Sequence, residues 1–106
     1  VIILKKGVYA IDNTYSIFTA VAGDQIFANT STNILTVKLP ASPTVGDEVT
    51  IIDSRDNFAS NAVTVDRNGK PINNAASNAT LDTDGMSATF IYVDGTCGWN
   101  YLSKAT

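Results

Sequence analysis

Two pairs of acidic side chains stand close enough in this sequence to suggest chemistry: Asp53 with Asp56, and Asp82 with Asp84. Glycoside hydrolysis requires two carboxylates roughly 5–10 Å apart across a sugar. The second pair, with nearby carbonyls, would also suit calcium, which takes oxygen ligands in flexible loops. Neither pair carries the rest of the apparatus. No Asp-x-Asp-x-Asp-Gly loop with a distal glutamate is present, and a short chain leaves little room for a long sugar groove. Aspartate in a turn ordinarily caps its own backbone. Turn chemistry is therefore the expected use of all four, and no catalytic, cofactor-binding or metal-ligating residue is assigned.

Other reactive types are scarce. The chain has no histidine and one each of cysteine (Cys97), glutamate (Glu48), methionine (Met86) and tryptophan (Trp99). Without histidine there is no Ser-His-Asp or Cys-His nucleophile and no His-ligated zinc or copper. A single cysteine excludes an intramolecular disulfide and a CxxC site, and with no histidine to lower its pKa Cys97 reads as an incidental thiol. Ala22-Gly23-Asp24 and Val45-Gly46-Asp47 lack the glycine spacing and lysine of a phosphate loop. Trp99, Tyr101 and Tyr92 are the remaining candidates. Exposed, they would stack on a sugar face; buried, they would anchor the last hairpin, which is the commoner fate of large aromatics in a small β domain.

The 106 residues are enough for one domain with a real core, and 44% are hydrophobic. A net charge of −3, with Lys5-Lys6 as the one adjacent basic pair, argues against nucleic-acid binding. No apolar run approaches the roughly 20 residues needed to span a bilayer, so no membrane insertion is expected. The chain opens on Val1 rather than Met, which reads as excision from a longer polypeptide.

The elements that must position these residues are strands. Thirteen Thr, nine Val and ten Ile stand against five Leu, a composition that favours β over helix. Apolar residues on both faces of 14–21 (Tyr15, Ile17 and Val21 against Phe18 and Ala20) predict a strand covered on both sides. Further strands are expected at 24–29, 34–39, 48–53 and 62–67, with Leu35, Val37, Leu39, Val63 and Val65 inward. Pro40 and Pro43 close the 34–39 strand. Asn68-Gly69 predicts a type I′ hairpin turn with Lys70-Pro71-Ile72 starting the return strand. Residues 73–79 read as loop. Ser87–Asp94 predicts a long strand, and Asp94-Gly95 with Gly98 a tight loop into 99–102. No internal repeat is evident. The expected fold is all-β, an antiparallel β-sandwich or barrel-like module of about seven to nine short strands with an extended N-terminal arm. Residues 1–13 would be the arm and 14–106 the single domain. Val1, Ile2, Ile3 and Leu4, four apolar residues in a row, would be an aggregation hazard unless they join the domain's own sheet or pack on another chain, and subunit contact is the expected use.

The run from Ile34 to Leu102 resembles a β-rich module of tailed-bacteriophage tail fibre, tailspike and related virion proteins. The resemblance is carried by Leu39-Pro40-Ala41-Ser42-Pro43, Val45-Gly46-Asp47-Glu48-Val49, Ile52-Asp53, Phe58-Ala59-Ser60-Asn61 and Val63-Thr64-Val65. It continues through Asn68-Gly69, Ile72, Leu81, Phe90-Ile91-Tyr92-Val93-Asp94-Gly95 and Gly98-Trp99. It implies a non-enzymatic structural or attachment role in a virion, without cofactors, with a homotrimer as the assembly and other virion proteins as neighbours. A carbohydrate-binding module recognising a host surface glycan is the alternative reading.

Overall fold

β-Branched residues are frequent in most of the stretches that extend. In a computed structural model, which describes residues 1–12, 14 and 16–106, the described residues form ten strands and no helix. In chain order these are β1 (Ile2–Lys5), β2 (Val8–Ile11), β3 (Ile17–Thr19), β4 (Gln25–Ala28), β5 (Leu35–Lys38), β6 (Glu48–Asp53), β7 (Val63–Asp66), β8 (Ala79–Leu81), β9 (Ser87–Asp94) and β10 (Gly98–Ala105). They make a six-stranded sheet, ordered β1-β2-β4-β6-β9-β10, and a four-stranded sheet, ordered β3-β5-β7-β8.

The all-β class is as expected; the antiparallel sandwich or barrel is not. From β2 to β7 each successive strand lies in the other sheet, so the chain coils between two layers. Strands one coil apart stack in parallel: β2 on β4 on β6 in one sheet, β3 on β5 on β7 in the other. Antiparallel pairing is confined to the ends of the sheets, where β1 folds back on β2, β8 on β7, and β9 and β10 continue from β6. Both sheets are therefore mixed, and neither closes into a barrel. The physical reason lies in the connections: a two-residue turn can join only antiparallel neighbours, whereas a parallel pair needs a crossover. Here the crossover is a strand of the opposite layer.

The coils also expose a repeat hidden in the sequence. Asn33-Ile34-Leu35-Thr36-Val37-Lys38 lies alongside Asn61-Ala62-Val63-Thr64-Val65-Asp66, with Leu35 paired to Val63 and Val37 to Val65. The turns entering β4 and β6 repeat as well. Gly23 and Gly46 take φ of +91° and +92°. Asp24 and Asp47 each accept a hydrogen bond at 2.8 Å from the backbone N–H three residues earlier, of Val21 and Thr44.

One apolar core fills the space between the layers. The six-stranded sheet contributes Ile26, Val49, Ile51, Phe90 and Trp99, and the four-stranded sheet Leu35, Val37, Val63, Val65 and Leu81. Inward and outward residues alternate as expected on β5 and β7, and β9 shows the same alternation from Ser87 to Tyr92. β3 departs from expectation: Ala20, just beyond it, is buried and Phe18 half-buried, but Ile17 and Val21 are exposed, so this segment is covered on one side. Tyr15, assigned to it, lies outside the described residues. The outer edge of β10 is paired at its start by the 67–78 loop, through a parallel bridge from Ile72 to Trp99 and a bond from Asn73 N–H to Trp99 O. All four residues of β1 are exposed. Of residues 1–13, Val8–Ile11 lie within the six-stranded sheet, with Ile11 in the core, and Ile2–Lys5 form its edge; Asn13 is outside the described residues.

The Asn68-Gly69 turn forms, with φ of 50° and 92° and a bond from Lys70 N–H to Arg67 O. Its return strand does not. Pro71 has no N–H to give a ladder, the chain swings away to cover Trp99, and β8 arrives later as the partner of β7. This detour fixes Gly98. A Cβ there would sit 1.9 Å from Pro71 O, and its φ of +68° is already unfavourable for other residues. Gly98→Ala is expected to cost about 2–4 kcal/mol, from the left-handed backbone plus a clash that backbone must relieve. Urea denaturation followed by Trp99 fluorescence would measure it.

Candidate functional site

The ends of the strands, where the coils turn, carry the polar chemistry. At the entrance to β4 and β6 the two repeated glycine turns form the walls of an open groove of about 470 Å³, lined by Ala22–Gln25, Gly46–Glu48 and Thr50. Its charged residues are Asp24, Asp47 and Glu48, all acidic. Asp24 is almost enclosed. Loss of hydration raises its pKa above the ordinary value, and the bond from Val21 N–H offsets part of that rise. At the opposite end of the sheet a smaller hollow of about 160 Å³ is lined by Val1, Ile2, Ala10 and Phe27, with Asp12 and Arg55 at its margin.

The acidic pairs separate in role. Asp53, 6% exposed, accepts from four backbone N–H groups: Arg55 and Asn57 on Oδ1 (both 3.2 Å), Phe58 and Gly85 on Oδ2 (both 3.0 Å). Burial alone would raise its pKa, but the four donors together outweigh it and the carboxyl is held below its ordinary value. Asp56 takes a left-handed φ of 54°. Asp84 accepts from Ala59 N–H at 2.9 Å, while Asp82 is exposed. These bonds tie the loop after β6 to the turn before β9. Among the described residues no group of three or more His, Cys, Asp or Glu side chains is placed to hold a metal ion.

The three aromatic candidates come together on β9 and β10, as the spacing suggested, but mostly inside. Trp99 is fully buried, in an edge-to-face contact with Tyr92 at 5.5 Å, and Tyr92 is itself buried. Neither ring offers a face to a sugar. Tyr101 stacks on Phe90 at 4.8 Å, keeps part of its ring open, and has Lys104 Nζ 4.9 Å from its centroid. Burial, and then the charge of Asp82, push its hydroxyl pKa up. Cys97 sits in the β9–β10 turn, where Asp94 Oδ1 accepts from both Cys97 N–H and Thr96 N–H. Desolvation, and then the negative charge of Asp94, raise the thiol pKa, so it stays protonated at neutral pH.

The apolar quartet lies in the open. Ile2, Ile3 and Leu4 are 66%, 69% and 55% exposed, and Val1 is exposed beside them. β1 is the outermost strand of its sheet, so one of its backbone edges has no strand neighbour among the described residues. The acidic groove escaped sequence reasoning, although a signal was there: Gly-Asp followed by Gln or Glu occurs twice, at 23–25 and 46–48. No protein-family model matches the chain, and a search of curated proteins finds no match.

Two outcomes follow from the two buried carboxylates. Because the folded pKa of Asp53 is lowered, its contribution is full above the ordinary carboxylate value and is lost as pH falls through the folded pKa. Asp53→Ala, which strands four N–H groups, should cost about 3 kcal/mol or more at pH 7 and progressively less in acid, measured by urea titration across pH. Asp24 has the opposite sign. Its raised pKa means that stability falls as pH rises from the ordinary value through the raised one. Asp24→Asn keeps an acceptor for Val21 N–H and removes the buried charge, so it should raise the melting temperature at pH 7, with the gain vanishing at pH 3.

Proposed function

We propose that this chain is a non-enzymatic structural module of a tailed-phage virion, part of a tail fibre, spike or surface decoration, that self-associates as a homotrimer through its N-terminal strand. The single observation that carries the assembly reading is β1. Three consecutive large aliphatic side chains stand more than half exposed on a sheet edge whose backbone is open. A lone apolar edge of this kind pairs with something, or aggregates. Full burial of such a side chain is worth roughly 1.5–3 kcal/mol, and these have more than half of their surface left to bury, which favours a contact through β1. The virion reading rests on the ordered set of motifs between Ile34 and Leu102. A stack of coils around a Val, Ile and Leu core is suited to such a role, since it needs neither metal nor disulfide. Tyr101 is the one candidate aromatic that is partly exposed, and Phe90 and Lys104 pack against its ring, which leaves the glycan-binding alternative without a platform of two or more rings.

Light scattering across a concentration series is the test. The unaltered chain should show the mass of a trimer, and Ile2→Asp with Ile3→Asp should reduce it to a monomer with an unchanged circular dichroism spectrum. A chain that stays monomeric at the highest concentration, with β1 digested readily by protease, would overturn the assembly reading.

A further inference from the structure

β1 ends on Lys5 and is followed at once by Lys6, both exposed, and β1 itself carries no acidic residue. The turn they enter packs against the first groove turn: Gln25 N–H donates to Gly7 O at 2.8 Å. Beyond it the turns of this end of the sheet follow in order. Gly23 N–H bonds to Glu48 O, and Gly46 N–H bonds to Tyr92 O. The end of the six-stranded sheet is therefore electrically graded, basic at the β1 edge and acidic from Asp24 through Asp47 and Glu48 to Asp94. At the acidic side stand two more exposed aliphatics, Val45 (69%) and Val93 (40%), flanking the bond between Gly46 and Tyr92.

We infer that the surface β1 meets is this corner of a second copy, with Leu4 and Ile3 against Val45 and Val93, and Lys5 and Lys6 against Glu48, Asp47 and Asp94. The contact is heterologous, head to tail. An isologous pairing of β1 with β1 would give the lysines no acidic partner on the facing strand, and would stop at a dimer. A three-fold ring needs two different faces on each copy, and this chain has two that match in both apolarity and charge. Opposite charges facing one another also fix which way round the faces meet, while like charges reject the wrong register. The inference rests on the self-association proposed above and names the surface it uses.

Charge reversal tests it. Lys5→Glu with Lys6→Glu should weaken association at least tenfold, and so should Val45→Lys with Glu48→Lys, whose side chains are exposed and in no hydrogen bond of the turn. All four changes in one chain restore the attraction and should recover most of the association. In a second measurement, on a Cys97→Ser background, Leu4→Cys with Val93→Cys should form disulfide-linked oligomers under mild oxidation, and Leu4→Cys alone should not. An oligomer that persists through either reversal, or that cross-links through Leu4→Cys alone, overturns the head-to-tail contact while leaving self-association standing. A monomeric unaltered chain overturns both.

Discussion

Four backbone N–H groups converge on the carboxylate of Asp53, and much of the fold depends on that convergence. Asp53 ends β6, the strand at which the parallel ladder gives way to the antiparallel pair with β9. One oxygen holds the loop that leaves for the other layer; the second reaches both that loop and the turn that introduces β9. A buried charge is costly unless saturated with donors, and here three donors come from the loop that follows at once and the fourth, Gly85, from a turn 32 residues away. The carboxylate thus acts as a fastener whose absence would leave two loops with unpaired polar backbone. Phe58, whose N–H is one of the four, is carried fully into the core by the same bond.

Much of the strand content was legible in the residues. β6 and β9 begin and end where the sequence places them, and Leu35, Val37, Leu39, Val63 and Val65 face inward as their spacing requires. The sheet to which each strand belongs was not legible. Alternation reports which face of a strand is buried and says nothing of its neighbour. A coil of unequal turns leaves only a faint repeat, as between Asn33–Lys38 and Asn61–Asp66. Three short strands escaped for local reasons: β1 and β2 fall within the residues read as an extended arm, and β8 is three residues long after an Asn- and Ala-rich loop.

The candidate sites divide along the same line. Turn roles for the aspartates follow from chemistry within a few residues, and Asp24, Asp47, Asp53 and Asp94 all cap nearby N–H groups. Exposure is a property of the assembled layers. Trp99 is enclosed because Pro71 sends a loop across it, a long-range event that its neighbours in sequence do not announce. The acidic groove exists because two similar turns are stacked one coil apart, so it too belongs to the stack rather than to either turn.

That stacking has a consequence for size. Each full coil adds one strand to each layer, and parallel neighbours are spaced by about 4.8 Å. A further copy of a segment such as 23–45 would lengthen the body by one such step while its cross-section, its core and the chemistry of its two ends stayed the same. The molecule is in that sense a spacer of adjustable height, with the β1 edge and the β9–β10 hairpin as fittings that need not change when the distance between them does.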